Sequence, residues 1–399
     1  MHVELIDGIN WVGAVDWNVR DFHGYETGRG STYNAYLVQG EKTALIDTVK
    51  RPFTETLLAN VDEVARPGGV DYVVANHGEP DHSGALPAVM DATGATLVTN
   101  EKALGTLGGY YDTSGWKIET VTTGDSLDLG GDRSLSFVQT PMVHWPDSMV
   151  SYCPEEKILF SNDAFGQHLA SSGRFDDEND LSVIMAEAKT YYANIVMLYG
   201  RPIANALEAL GGLEIGTISP AHGIIWRSHI PEILDAYSDW VRCRARPKVL
   251  VIYESMWQST DCMAQEIVRG ATREGVEVKL LDVNRTGRTQ IATEVLDAAA
   301  IAFGSPTLNM TLMPEIAGVL TYLRGLAPKG KAGFAFGSYG WAPSGPKAVA
   351  EYLDEMDFEI LREPLTAQWR PDEDALAACR QAGALLADHA GNADAGCSP

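Results

Sequence analysis

Short apolar runs separated by turn residues dominate the amino-terminal part of the chain. Tyr33-Asn34-Ala35-Tyr36-Leu37-Val38, the turn Gly40-Glu41-Lys42 and Thr43-Ala44-Leu45-Ile46-Asp47 predict a β-hairpin. Further strands are predicted over 71–75, 95–98, 134–138, 148–152 and 157–160, and helices near 52–64, 181–199 and 231–245. Strands grouped with helices at their flanks predict a layered α+β sandwich. The run Arg242-Cys243-Arg244-Ala245-Arg246-Pro247-Lys248 predicts a helix end rich in cations, closed by a proline that cannot continue it. After it the rhythm changes. Val249-Leu250-Val251-Ile252-Tyr253 predicts a buried strand, 262–270 a helix, and 276–281, 299–303 and 332–336 three more strands. Such alternation predicts a parallel doubly wound sheet. Neither an internal repeat nor a low-complexity segment is present.

A length of 399 residues exceeds what one hydrophobic core usually serves. Two domains are therefore expected, 1–246 and 247–399. The apolar share of 45% and charged share of 21% are those of an ordinary globular chain, and only the tail from Gly391 to Pro399 is expected to lack structure. A formal net charge of −24 repels polyanions, which argues against broad contact with nucleic acid or anionic lipid. No apolar run is long enough to span a bilayer, and the first residues lack the basic and apolar regions of a signal peptide, so a cytoplasmic protein is expected. Cys153, Cys243, Cys262, Cys379 and Cys397 form no C-x-x-C pair and are read as structural thiols.

Chemistry concentrates in Asn76-His77-Gly78-Glu79-Pro80-Asp81-His82-Ser83-Gly84, directly after the predicted strand at 71–75. Two imidazoles and two carboxylates within six residues lose hydration and repel when clustered, and a bound cation is the simplest reason for placing them together. A pair of metals needs further ligands, and three later strand ends offer them: His144 in Thr140-Pro141-Met142-Val143-His144-Trp145-Pro146-Asp147, Asp163 in Ser161-Asn162-Asp163-Ala164, and His222 in Pro220-Ala221-His222-Gly223. His2, His23, His168, His229 and His389 are read as surface or satisfied core residues, with contact to the ligands from outside as the alternative for His23. Tyr191 and Tyr192 are read as packing, with a hydroxyl placed near the ligands as the alternative.

The order H-x-E-x-D-H, then H, D and H, on a layered sandwich resembles the metallo-β-lactamase superfamily. Its hydrolases usually carry histidine where Glu79 stands. With the glutamate and a following flavodoxin-like half, the chain resembles the flavodiiron proteins, a likeness that covers nearly its whole length. The resemblance implies an αββα sandwich followed by a flavodoxin-like sheet. It also implies one iron on His77, Glu79 and His144 and another on Asp81, His82 and His222, with Asp163 bridging; His82 is the weakest of these assignments. A binuclear zinc hydrolase with an accessory flavodoxin domain is the competing reading, because zinc takes the same ligand types and activates water. An electron-transfer module with a silent first domain is the third.

In the second half, the loop Ser255-Met256-Trp257-Gln258-Ser259-Thr260 follows the first strand and opens a helix. Its hydroxyls and the backbone N–H groups of the helix start suit a dianionic phosphate, as in the flavodoxin arrangement for FMN. Pro306-Thr307-Leu308-Asn309 and Ser338-Tyr339-Gly340-Trp341 lie at the carboxyl ends of two further strands, where doubly wound sheets bind ligands. Trp341 is the candidate to stack on the isoalloxazine. No G-x-G-x-x-G follows the first strand, which disfavours a nicotinamide site.

Two electrons on a flavin and two on a diferrous pair are what the resemblance supplies for reducing dioxygen to water. Coupling two nitric oxide molecules to nitrous oxide needs two. The choice between the gases stays open. By the same resemblance a head-to-tail homodimer, or a tetramer built from it, sets the flavin of one subunit against the metals of the other, with Trp145 a candidate for that junction. A separate rubredoxin-like protein or a reduced deazaflavin would deliver electrons, and an acidic donor protein would dock on a local basic patch, with Arg242, Arg244 and Arg246 as candidates.

Overall fold

Residues 2–65 and 69–392 are described by the computed structural model. Cys397 and the rest of 393–399 lie outside the described residues, whereas Gly391, expected to begin a structureless tail, is the last residue of the helix Glu373–Gly391. Two compact units are present, one made of Met1–Tyr191 and Arg201–Tyr237 and the other of Tyr192–Gly200 and Ser238–Pro399.

The first unit is built on two sheets. Val3–Ile6, Ile9–Trp11, Tyr36–Gln39 and Thr43–Ile46 pair antiparallel, and Tyr72–Val74, Thr96–Thr99 and Lys117–Thr120 extend that sheet in parallel. Ser126–Gly130, Arg133–Gln139, Met149–Cys153 and Ile158–Asn162 form an antiparallel meander, with Thr217–Pro220 added in parallel. Ile9, Val38, Ile46 and Val74 of one sheet pack with Leu135, Phe137, Ile158 and Phe160 of the other into a single core. Burying each such side chain contributes about 1.5–3 kcal/mol. The hairpin Tyr36–Gln39/Thr43–Ile46 forms as expected, but Tyr33 belongs to a separate strand, Ser31–Tyr33, paired with Ala14–Asp16.

Five strands of the second unit, in the order Glu277–Asp282, Arg246–Tyr253, Ala298–Gly304, Ala332–Tyr339 and Glu359–Ile360, run parallel, and Leu365–Gln368 also pairs with Ala332–Tyr339. Successive residues face opposite sides and both sides are covered. Leu250, Ile252, Ile301 and Phe303 meet Ile316, Leu320 and Val349, while Val249, Val251, Phe334 and Phe336 meet Met263, Ile267 and Leu386. Burial on both faces is why these strands read as continuous apolar runs.

Two expectations need correction. The predicted helix over 181–199 is three pieces, an α-helix Leu181–Tyr191, a wide π turn Tyr192–Val196 and a 3₁₀ turn Met197–Tyr199, because apolar periodicity does not report how the backbone bonds inside a helix. The helix expected to end in cations stops at Val241, and Arg246-Pro247-Lys248 opens a strand instead. Lys248 is 2% exposed, 2.9 Å from Asp297 and bonded to Glu294, so its charge serves the core of the unit.

Candidate metal and flavin sites

Each predicted ligand in the first unit follows the carboxyl end of a strand. His77 comes three residues after Tyr72–Val74, Asp163 directly after Ile158–Asn162 and His222 two after Thr217–Pro220, while His144 lies between Arg133–Gln139 and Met149–Cys153. Pro80 starts a single helical turn, Pro80–Ser83, which turns Asp81 and His82 back toward the strand ends. All seven side chains come together and are buried. His77, Glu79, His144 and Asp163 form one group and Asp81, His82 and His222 a second, each able to offer its ligand atoms to one ion.

Asp163 reaches both. Its Oδ2 lies 3.4 Å from His144 Nε2 and 3.7 Å from His77 Nε2, and its Oδ1 3.0 Å from His82 Nε2 and 3.7 Å from His222 Nε2. Glu79 Oε2 lies 3.2 Å from His77 Nε2 and 3.4 Å from His144 Nε2. Asp81 Oδ2 lies 3.0 Å from His222 Nε2, yet among the described residues neither Asp81 oxygen, nor Asp163 Oδ2, nor either nitrogen of His82 has a hydrogen-bond partner. Orphaned buried polar atoms converging from both signs of charge are what cation ligands look like before the cation is counted.

Electrostatics agree. Burial works against charge on His77, but hydrogen bonds to Asp147 and Glu79 and the nearby Asp163 carboxylate prevail and raise it to about 10. His144 is likewise raised to about 10 against burial by Asp163 and Glu79, and His82 to about 9 by Asp81 and Asp163. Burial also penalises the Asp163 carboxylate, yet His82 and His144 hold it well below the usual carboxylate range. The pocket favours positive charge, and metal cations would supply it without protonating the imidazoles.

Several residues that aim the ligands were not singled out from the sequence. Asp147 Oδ1 is 3.0 Å from His77 Nδ1 and its Oδ2 accepts from Gly78 N at 2.9 Å. Thr32 O lies 2.7 Å from His222 Nδ1. Such outer contacts fix ring orientation and leave Nε2 for a metal. Gly223 follows His222 at φ 80, where a Cβ would sit 1.6 Å from Gln167 Oε1, so only glycine fits this turn. Asp47 gathers Asn76 N at 2.8 Å, Asn76 Nδ2 at 3.1 Å and Asn162 Nδ2 at 3.2 Å, tying the first ligand loop to the strand before Asp163. Tyr191 donates to Asp163 Oδ1 at 3.1 Å, which is the alternative to packing alone. His23 Nε2 lies 2.8 Å from Glu79 Oε1. His168, read as a surface or satisfied core residue, is buried with its ring 4.8 Å from that of His222; Nδ1 meets Ser31 Oγ at 2.7 Å and Nε2 has no hydrogen-bond partner. Trp145 presents its ring edge-on, 5.0 Å from His77.

The second unit carries a more open cleft of about 260 Å³ at the carboxyl ends of its strands. Met256, Trp257, Ser259, Pro306, Thr307, Ser338, Tyr339 and Gly340 line it, as do Trp369 and Arg370, which sequence reasoning missed. Gln258 takes φ 65 without being glycine, which closes the first loop and starts the helix Ser259–Ala271. Thr260 is buried and bonded to Ser338 Oγ at 3.0 Å, so its hydroxyl joins two loops of the cleft. Ser255 Oγ accepts from Asp261 N at 3.3 Å. Leu308 and Asn309 lie in a turn closed by Leu308 and Thr311, and Trp341 is 81% exposed with its ring 6.3 Å from that of Trp369. Ser255, Gln258, Thr260, Leu308, Asn309 and Trp341 are not among the residues lining the cleft. A Cβ on Gly340 would meet the Trp369 ring at 2.8 Å. Of the arginines considered for donor docking, Arg244 lies 2.9 Å from Asp239 and Arg246 3.9 Å from Asp297.

Residues 32–223 match the ODP family beta lactamase and residues 251–383 match Flavodoxin. The chain is 44% identical over 391 residues to a nitric oxide reductase of Moorella thermoacetica, covering 96% of this chain and 98% of that one. Among solved structures, the rubredoxin oxygen:oxidoreductase of Desulfovibrio gigas superposes with a TM-score of 0.94 at 38% identity, covering 98% and 99% of the two chains. The flavodiiron protein of Giardia intestinalis does so with a TM-score of 0.93 at 39% identity, covering 98% and 97%. Among the described residues no helix is long and apolar enough to cross a membrane.

Proposed function

The chain belongs to the flavodiiron proteins, and from that premise we propose that it is an oxidoreductase reducing dioxygen to water, nitric oxide to nitrous oxide, or both. The observation that carries the reading is the division of Asp163, one oxygen toward each of two ligand groups in a buried pocket. In this reading His77, Glu79 and His144 would hold one iron and Asp81, His82 and His222 the other, with Asp163 offering one oxygen to each group. Two ferrous ions, when bound, would supply electrons and open positions for a small diatomic gas. Three carboxylates offset most of their charge. Asp147 and Thr32 keep two of the imidazoles in the tautomer that presents Nε2, and the Tyr191 hydroxyl holds Asp163 Oδ1. Among the described residues His82 has no such partner on Nδ1, which supports its standing as the weakest ligand.

FMN is assigned to the cleft of the second unit. Ser255, Ser259 and the backbone at the start of Ser259–Ala271 would take its phosphate, and Pro306, Thr307, Ser338, Tyr339 and Gly340 its ring. Trp369 lines the cleft and replaces Trp341 as the candidate for stacking. We place the domain boundary at 246/247, the protein in the cytoplasm, and its active form in a head-to-tail dimer. The exposed indoles of Trp257, Trp341 and Trp369 support an apolar surface around the flavin that a second copy would cover. Electrons would arrive from a separate donor, a rubredoxin-like protein or a reduced deazaflavin.

Elemental and flavin analysis of purified protein, followed by steady-state rates with each gas and a common donor, tests this reading. Two irons and one FMN per chain with turnover of either gas are expected. Zinc-loaded protein inert toward both gases would overturn it.

A further inference from the structure

Glu79, like Asp163, points its two oxygens in different directions, but only one of them faces the pocket. Oε2 faces His77 and His144 inside the pocket, whereas Oε1 points the other way, to His23 Nε2 at 2.8 Å. His23 is 40% exposed and Glu79 9%, so this contact lies where the pocket meets solvent. His23 and Gly24 form the tip of a miniature hairpin, Asp21–Phe22 with Tyr25–Glu26, that pairs with neither main sheet.

Both tip residues have left-handed backbone, φ 53 at His23 and φ 78 at Gly24. Two-residue turns of that kind favour Asn, Asp or Gly, and histidine is among the few other side chains enriched in left-handed backbone. The base of the hairpin is anchored. Phe22 is buried, with its ring 4.6 Å from that of His168 and 5.7 Å from that of His222, and Tyr25 is buried 5.6 Å from His168. The buried base fixes where the tip stands, and the tip carries the His23 imidazole to Glu79.

We propose that His23 is a positioning residue for Glu79. By holding Oε1 it would leave only Oε2 of Glu79 to be offered to the ion that His77 and His144 would share. The inference rests on the metal reading above but not on which metal is bound. An outer contact of this type changes metal affinity by about 10–100-fold when lost.

The test uses full-length, metal-loaded protein in wild-type, His23→Ala and His23→Gln forms. Metal content is measured first, then the rate at which a chelator extracts each equivalent. We expect His23→Ala to lose one equivalent about tenfold faster than wild type while the other leaves at its normal rate. Glutamine, which can donate to Oε1, should restore the slow rate to within about twofold at an unchanged melting temperature. Wild-type rates for His23→Ala, equal acceleration of both equivalents, or acceleration that glutamine fails to reverse would each overturn the proposal. Finding zinc in place of iron would defeat the gas-reductase reading while leaving this test intact.

Discussion

The metal pocket and the flavin cleft solve opposite binding problems. In the first, seven ionisable side chains are enclosed by the strand ends of one unit and hold each other's charge; in the second, small residues, backbone and aromatic rings line an open hollow. A metal ion is recognised by a few charged atoms at fixed distances, so its ligands must be particular residue types. A planar cofactor is recognised by shape and backbone N–H groups, which many sequences provide. The pocket therefore depends on side-chain chemistry, and the cleft on what is missing from side chains, as where Gly340 leaves room for the Trp369 ring.

The sharpest break between the regions comes from Asp163→Ala. It should release both metals and lower gas turnover by about 100-fold or more while flavin content stays at wild type, checked by metal and flavin analysis of one sample. Mixed with a flavin-free variant such as Gly340→Trp, it should regain activity in heterodimers if electrons cross between subunits; no recovery would oppose the dimer reading. Next in size, Lys248→Met should destabilise the second unit by about 3 kcal/mol, since it leaves Asp297 and Glu294 without their buried cation. Calorimetry should show that transition moving while metal retention in the first unit is unchanged.

Asp147→Asn should weaken metal binding by about 10–100-fold through loss of orientation at His77, with the flavin cleft unaffected. The metal-free protein offers a pH test. His77 and His144 rise to about 10 and His82 to about 9 in the folded pocket, against an ordinary 6.5. A raised histidine contributes stability that is fully present below pH 6.5 and is lost as pH climbs through the folded value. Melting temperature of the apoprotein should thus fall between about pH 6.5 and 10, and metal-loaded protein should show a flatter profile. The smallest effect is expected from Tyr191→Phe, about fivefold in turnover with metal content retained, because one hydroxyl hydrogen bond to Asp163 is worth about 1 kcal/mol.

Residue types and spacing were enough to gather His77, Glu79, Asp81 and His82 as candidate ligands, since two imidazoles and two acids are rarely concentrated in one loop after a buried strand. The parallel sheet of the second unit was equally plain in its runs of valine, isoleucine and alanine. Asp147, Thr32 and Asp47 were not legible as functional. Each is an ordinary polar residue in its own segment and gains a role only because a distant segment arrives beside it, 70 residues away for the His77–Asp147 contact and 190 for Thr32 and His222. Trp369 and Arg370 escaped for the same reason, as they follow a short strand at the end of the sheet that carries no phosphate-like loop. Local composition reports what a residue can do with a ligand. Which oxygen of Asp163 faces which metal group, and which of Glu79 faces solvent, depends on the crossing of two sheets and could be decided only by the folded chain.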